Sequence, residues 1–473
     1  MKRSGLLLAL LAVTACIASG QLTLRDVEGS WSGKLTESGM DLRMVFNFTM
    51  TEADTIKATL DSPDQNAVGI PLGRVTLEGD SLFVEAPMIR GRYSGKVSSD
   101  TLITGIWMQL GRNYNIDLRR GTFAPVTYNR PQEPQPPYPY REEEVIFRNS
   151  AENFDLAGTL TLPDGTGPFP AVVLITGSGQ QDRDETIFNH KPFKVLADHL
   201  TRNGIAVLRY DDRSVGGSKG SLTGATSLSF AGDAEAAVDF LLGRTEIDHA
   251  KIGLAGHSEG GFIAPIVASR RGTIAFVISL AGPGVTGYDA IIQQNIDFFR
   301  VAGMPEEALE KQLHMLRNIF RFVIAGEDQR TVAKQAMEWY NSELDARGAT
   351  AEERREQMSQ FAQALVQTNN PWWKYFLSTD PAQFWSKVRC PVLALNGDKD
   401  IQVNHAQNLP AIKAAVKKGG NRKVKTVSLP GLNHLFQHAE TGAIAEYAAI
   451  EETFSPEALD LMTTWIRKTL KMK

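Results

Sequence analysis

Cysteine is nearly absent from this sequence, which has only Cys16 and Cys390 among its 473 residues. So small a number excludes a disulfide framework and a cysteine-based metal site. An excess of charge of one sign is also lacking, because 50 Lys and Arg are balanced by 54 Asp and Glu. Without a basic excess there is nothing to drive nucleic-acid binding, so we expect no nucleic-acid partner.

Apolar runs long enough to cross a membrane are missing as well. Residues 6–15 are almost wholly apolar, but a membrane span needs ~20 such residues. Lys2 and Arg3 give this run a positive start, as in an export signal. We therefore predict a signal peptide at 1–20, no integral membrane span, and a periplasmic or secreted mature protein.

Two ways of processing this signal remain open. Cleavage after Gly20 would release a free protein, because residues 18–20 form a small-x-small site. Residues 13–16 instead resemble a bacterial lipobox, which would anchor the protein through a lipid on Cys16. Ile17 is a poor follower of a lipidated cysteine and favours free secretion.

The rest of the composition is that of an ordinary globular protein, with 42% hydrophobic and 22% charged residues. Short strands separated by turn signals predict a small all-β domain at 21–122, barrel-like or a sandwich. We favour a folding or spacer role for this domain over contact with a glycan. Closely spaced prolines then predict a semi-rigid linker at 123–141.

Residues 142–473 show a different pattern, which predicts an α/β catalytic domain. Apolar runs alternate there with helical stretches, which is typical of a mostly parallel sheet with helices on both faces. The runs are 171–176, 205–210, 251–255, 275–280, 392–395 and 424–429. Residues from about 285 to 385 contain no convincing strand, so we expect a helical insertion in the position of a lid.

A Gly-x-Ser-x-Gly motif at 256–260 lies between an apolar strand and an apolar helix. A nucleophile in such a sharp turn has a strained backbone, and the small flanking glycines relieve the clash. The helix N-terminus behind it favours negative charge. The motif therefore predicts Ser258 as the nucleophile, and His257 beside it is interpreted as a packing or capping residue.

A catalytic serine needs a histidine base and a carboxylate that orients the base. In this class of fold the acid follows the nucleophile and the histidine comes last, each just beyond a strand. After the penultimate strand we favour Asp400 over Asp398, because Asp398 is in the first turn and suits holding the loop. After the last strand His434 is the predicted base, with His438 as the alternative.

An oxyanion hole requires two backbone N–H donors. One is expected from Glu259, directly after the nucleophile. The other should come from the glycine-rich turn after the first core strand, where Ser178 is favoured over Gly179. In the same turn, Asp182 and Arg183 are expected to stiffen the loop through a charge pair.

An aromatic segment lies near the end of the helical insertion and contains Trp372, Trp373 and Phe376. These side chains would suit the apolar wall of a substrate pocket. Ordinary packing between the insertion and the body of the domain explains them equally well, because aromatics dominate both cores and pockets.

Several of these motifs occur together in one known group of proteins. The matching pieces are Gly-Ser-Gly-x-x-Asp-Arg-Asp at 177–184, Arg-Tyr-Asp-Asp-Arg at 209–213, Gly-His-Ser-Glu-Gly-Gly at 256–261, Gly-Asp-Lys-Asp at 397–400 and Asn-His at 433–434. The chain resembles the α/β-hydrolase superfamily, and more narrowly bacterial secreted esterases of the serine aminopeptidase-like subgroup. This resemblance implies nucleophile Ser258, acid Asp400 and base His434. One departure is Ser214, where the pattern usually has glycine.

We therefore expect a secreted serine carboxylesterase that cleaves a small-molecule ester through an acyl-enzyme. No motif for a metal, nucleotide or flavin occurs, so no cofactor is expected. The first alternative is a serine peptidase, aminopeptidase-like, with the same triad. The second is a glycan- or partner-binding protein whose hydrolase domain is inactive.

Overall fold

The computed structural model describes residues 22–37, 40–52, 55–65, 67–89, 91–109, 112–123, 128–326 and 328–472. The chain divides into two units, the first ending at Ala124 and the second beginning at Pro125, with residues 64–66 assigned to the second. The predicted signal peptide at 1–20, with Cys16, lies outside the described residues. None of the helices in the described ranges combines the length and the apolar character that a membrane crossing requires.

The N-terminal unit is one antiparallel sheet with the strand order β4-β3-β2-β1-β10-β8-β7-β6-β5, and β9 pairs with β8. Its strands are β1 Gly29–Glu37, β2 Met40–Met50, β3 Ile56–Ser62, β4 Ala67–Pro71, β5 Val75–Glu78, β6 Ser81–Ala86, β7 Gly91–Ser99, β8 Leu102–Gln109, β9 Arg112–Asn115 and β10 Leu118–Arg120. The sheet curls around a single core as a half-barrel. This confirms the predicted all-β, barrel-like domain.

Glycines lie beside aromatic residues in this sheet because large rings cross over the strands. Trp107 is fully buried and lies over Gly91, where a Cβ atom would come within 2.2 Å of the indole ring. Any larger residue at that position would displace the ring. A glycine at position 91 is therefore explained by packing inside the half-barrel.

The second unit is built on an eight-stranded sheet with the order β11-β12-β14-β13-β15-β16-β17-β18. Its strands are β11 Arg141–Asn149, β12 Phe154–Leu162, β13 Phe169–Ile175, β14 Ala206–Tyr210, β15 Ile247–His257, β16 Phe276–Leu280, β17 Val392–Gly397 and β18 Val424–Leu429. All six predicted runs are strands. In the part of the sheet that extends from β14 to β18, each strand is parallel to its neighbours. The antiparallel hairpin of β11 and β12 at one edge was not predicted.

Helices cover both faces of this sheet and fill the insertion between β16 and β17. They are α1 Pro192–Arg202, α2 Ser227–Leu242, α3 Glu259–Arg270, α4 Gly287–Val301, α5 Glu306–Ala325, α6 Gln329–Ala346, α7 Ala351–Thr368, α8 Pro371–Ser378, α9 Ala382–Trp385, α10 His405–Lys418, α11 Ile444–Tyr447 and α12 Pro456–Leu470. One apolar core lies on each face of the sheet, and α4 to α8 share a further core of their own. This is the predicted α/β-hydrolase fold with a helical insertion.

The proline-rich segment, predicted as a semi-rigid linker, is hydrogen-bonded along part of its length to the second unit. Arg130 donates from Nη1 to the carbonyl of Ile450 at 2.6 Å, and Gln132 donates from Nε2 to the carbonyl of Phe454 at 2.7 Å. Glu133 forms ion pairs of 2.7 and 3.0 Å with two lysines at the start of α1. Polar side chains between the prolines thus bind the segment to the second unit.

Candidate active site

Ser258 lies in a sharp turn between β15 and α3, with φ 51° and ψ −116°. A positive φ is strained for any residue other than glycine, and such strain is typical of functional sites. The two glycines of the motif are required by close backbone approach. A Cβ atom on Gly256 would lie 2.0 Å from the carbonyl oxygen of Gly260, and one on Gly260 would lie 2.1 Å from that of Ile175. The motif therefore forms the elbow that the sequence predicted.

Asp400 and His434 follow the parallel strands β17 and β18 and meet beyond their carboxyl ends. His434 Nδ1 lies 2.8 Å from Asp400 Oδ2, and both side chains are buried. The other carboxylate oxygen accepts the N–H groups of Gln402 at 2.8 Å and Val403 at 2.9 Å. These bonds fix the orientation of the carboxylate, which in turn fixes the imidazole ring.

The competing acid and base do not face this pair. Asp398 is exposed, and its Oδ1 accepts the N–H of Gly431 at 2.7 Å, which ties the two loops together. The His438 side chain is 56% exposed, and its ring nitrogens lie 2.8 Å from Glu452 Oε2 and 3.0 Å from Glu457 Oε1. Both residues therefore have structural partners on the surface.

The glycine-rich turn after β13 lies against the nucleophile. A Cβ atom on Gly177 would come within 3.2 Å of Ser258 Cβ. The N–H of Gly177 itself donates to Glu185 Oε1 at 2.6 Å. Ser178 is the next residue and is exposed, and Glu259 is the first residue of α3. The turn and the helix start thus lie on either side of Ser258.

The predicted charge pair between Asp182 and Arg183 is wrong. Arg183 instead binds Asp211 through two hydrogen bonds, of 3.0 Å from Nε and 2.8 Å from Nη2. The Asp182 carboxylate turns back on its own loop, where it accepts the N–H groups of Asp184 and Thr186 at 3.0 Å. The two neighbours stiffen the turn separately, because their side chains have different partners.

The side chain of Glu259 is buried, and it makes contacts that the sequence did not reveal. Its Oε1 accepts hydrogen bonds from Ser227 Oγ at 2.5 Å and Trp372 Nε1 at 2.7 Å. Burial raises the pKa of Glu259 to about 7, although both hydrogen bonds act to lower it. The carboxyl group directly after the nucleophile therefore binds the helical insertion.

The three aromatic residues of α8 have three different surroundings. Trp372 is half-buried and stacks on Phe376 with ring centroids 5.1 Å apart. Phe376 is buried and packs on Phe262 of α3 at 5.6 Å. Trp373 stacks on Phe320 inside the core of the insertion at 5.9 Å. Of the three, Trp372 is the one in contact with the elbow.

Asp212, from the Arg-Tyr-Asp-Asp-Arg motif, is a further acid near the elbow and is half-buried. It accepts a hydrogen bond from Thr176 Oγ1 at 2.7 Å and one from the N–H of Gln181 at 3.0 Å. Burial raises its pKa to about 8. The motif thus fixes the turn at 176–181. Across the described ranges, no three His, Cys, Asp or Glu side chains are grouped to hold a metal ion.

Comparison with known proteins places this chain in a family. Residues 153–426 match the model of the X-Pro dipeptidyl-peptidase (S15) family, a segment that contains Ser258 and Asp400 and ends before His434. Esterase EstD of Thermotoga maritima is 27% identical over 285 residues, which are 60% of this chain and 59% of that esterase. The chain therefore spans less than two thirds of the length of this relative.

Solved structures resemble the fold at low sequence identity. An esterase of Pyrococcus furiosus is 14% identical, and the alignment covers 70% of this chain and 91% of the other with a TM-score of 0.42. The α/β hydrolase GrgF of Penicillium is 15% identical over 70% of this chain and 100% of its own, also with a TM-score of 0.42. With the family model covering more than half of its length, the chain belongs to the X-Pro dipeptidyl-peptidase (S15) family.

Proposed function

We propose that this hydrolase is an exported serine carboxylesterase that acts on small-molecule esters. The observation that carries the proposal is the 2.8 Å contact between His434 Nδ1 and Asp400 Oδ2, at the same end of the parallel sheet as the strained Ser258. A nucleophile, a base and an orienting carboxylate in this order support acyl transfer through a covalent intermediate.

In the proposed reaction Ser258 Oγ attacks the ester carbonyl while His434 takes the serine proton. Asp400 holds the imidazole in the required tautomer and stabilises its charged form. The N–H groups of Ser178 and Glu259 bind the oxyanion; Ser178 fits this role because the preceding amide, Gly177, is already bound to Glu185. His434 then protonates the leaving alcohol, and water activated by the same histidine hydrolyses the acyl-enzyme.

The family description favours a second candidate, a peptidase that removes X-Pro dipeptides. Such an enzyme needs an acidic group that binds the free amine of the substrate. The buried carboxylates around the elbow, however, already have partners. Glu259 accepts from Ser227 and Trp372, and Glu185 accepts from a backbone amide. An ester substrate has no free amine and therefore needs no acidic partner, so it suits this arrangement better.

A pair of substrates tests the proposal. We expect turnover of p-nitrophenyl butyrate and labelling of Ser258 by a fluorophosphonate probe, with Gly-Pro-p-nitroanilide hydrolysed no faster than by a Ser258→Ala variant. Amides have a poorer leaving group, so an esterase without an amine site has little means of cleaving them. Faster release of nitroaniline than of nitrophenol would instead establish the peptidase.

We also propose that Trp372 forms part of the acyl pocket. Trp372→Ala would remove an indole next to the elbow, so relative kcat/KM should shift towards longer acyl chains by a factor of roughly 10–200, as for a change of about one methylene in fit. Acetyl, butyryl and octanoyl esters measure this shift. Trp339→Ala is the matched control, because that ring packs inside the insertion against Phe361; it should lower stability and leave the ranking of esters unchanged. Equal losses on all three esters in Trp372→Ala would make Trp372 a packing residue.

A further inference from the structure

A second histidine–carboxylate pair lies directly beside the Asp400–His434 pair. His257 Nδ1 is 2.9 Å from Glu185 Oε1, and both side chains are buried. The rings of His257 and His434 have centroids only 4.7 Å apart. Neither Glu185 nor the ring of His257 takes part in the proposed reaction, so the pair needs an explanation of its own.

The pair connects the three segments that form the site. Glu185 Oε1 also accepts the N–H of Gly177 at 2.6 Å, in the turn that supplies the proposed oxyanion donor. His257 is the last residue of β15, directly before the nucleophile, and its Nε2 lies 3.0 Å from the carbonyl oxygen of His434. One chain of hydrogen bonds therefore runs from the oxyanion turn, through the elbow, to the backbone of the base.

Both ring nitrogens of His257 face hydrogen-bond acceptors, and these two acceptors favour one protonation state of the ring. Nδ1 faces a carboxylate and Nε2 faces a carbonyl, so only the imidazolium form, which donates from both nitrogens, satisfies both contacts. Burial acts to lower the pKa of His257, but the charge and hydrogen bond of Glu185, the carbonyl of His434 and the charge of Asp400 outweigh it and raise the pKa. The ionisable side chains facing the ring are Glu185, Asp400 and His434.

We propose that Glu185 and His257 are positioning residues, a buried carboxylate–imidazolium pair that holds the oxyanion turn and the base loop against the nucleophile elbow. The proposal rests on the function proposed above for Ser258 and His434. A fixed cation next to the site also favours the negative charge that develops on the substrate oxygen, because electrostatic interactions are strong where water is excluded. The pair thus contributes to the transition state without touching the substrate.

The pair also makes the site sensitive to alkaline pH. Because the folded pKa of His257 lies above its ordinary value of 6.5, the stabilisation is complete below about pH 6.5 and is lost as the pH rises through the folded pKa. Above that pKa the neutral ring of His257 carries only one N–H, so it can donate only one of its two hydrogen bonds.

Nitrogen-15 NMR of the full chain, labelled at histidine, tests the charge directly. At pH 6.5 the spectrum should contain the signals of a histidine with both ring nitrogens protonated, and those signals should disappear in His257→Gln. In Glu185→Gln the same ring should become neutral. A neutral His257 in the unchanged protein would overturn the proposal.

Kinetics test the positioning role. Glu185→Gln should lower kcat on p-nitrophenyl butyrate by about 10²-fold, as for the loss of one oxyanion donor, with KM changed by no more than about twofold. Glu452→Gln is the matched control, because it removes a carboxylate from the exposed His438 and should leave kcat unchanged. An unchanged kcat in Glu185→Gln would also overturn the proposal. If Ser258 resisted fluorophosphonate and no ester were cleaved, the esterase function would fail, while the NMR result on His257 would still stand.

Discussion

Ser258→Ala should fold normally and lose nearly all esterase activity, with kcat falling by about 10⁶-fold, the loss seen when the nucleophile of a serine protease is removed. In the proposed reaction the Ser258 hydroxyl forms the acyl-enzyme, so this substitution removes the proposed nucleophile. Alanine also fits the turn as well as serine does, because the strain lies in the backbone, at φ 51°. Burst and steady-state kinetics on p-nitrophenyl butyrate measure the effect.

His434→Ala is the companion variant. Triad members act as a unit, so the single losses should be similar and the double variant should lose little more. The activity that remains should come from the oxyanion donors and substrate binding. Wild-type rates in either single variant, with an unchanged melting temperature, would show that the nucleophile or the base lies elsewhere.

The second large effect concerns the two aspartates after β17. Asp400→Asn should lower kcat by about 10⁴-fold, because an amide in that position leaves the imidazole in the wrong tautomer. Asp400 Oδ2 contacts His434 Nδ1 at 2.8 Å, whereas Asp398 binds only the N–H of Gly431. A single hydrogen bond contributes about 1 kcal/mol, so Asp398→Asn should cost less than about tenfold.

Both asparagine variants keep the size of the side chain, which makes Asp398→Asn the control for Asp400→Asn. Melting temperatures of the two should stay close to that of the parent, since each retains an acceptor oxygen. If Asp398→Asn proved the more damaging in well-folded protein, the acid of the site would be Asp398, and the contact seen at Asp400 would be structural.

The parallel strands and the elbow could be predicted because their signals are local. Strands buried on both faces are continuous apolar runs, and parallel strands bring their following loops to one edge of the sheet. The hairpin of β11 and β12 was not predicted, because β11 is an edge strand whose first four residues, Arg141 to Glu144, are all charged. Exposed and part-buried residues alternate along β11, but this alternation produces only a weak pattern in the sequence.

The side-chain roles that depend on distant partners could not be predicted. Glu185 lies 72 positions before His257, and nothing in the sequence around it marks the contact. Trp372 and Trp373 are adjacent in a helix, where neighbours point in different directions, so one reaches Glu259 and the other the core of the insertion. The sequence indicated that aromatics matter there and left their environments open.

The docked proline-rich segment has a practical consequence for dividing this chain. Gln132 bonds to the backbone at Phe454, whose ring stacks at 5.2 Å on Phe436, two residues beyond His434. A fragment beginning at residue 142 would therefore lose a contact that supports the loop of the proposed base, although it would contain Ser258, Asp400 and His434. Protease cleavage after the prolines would weaken the same loop. A fragment that keeps these contacts of the proline-rich segment should begin no later than residue 128.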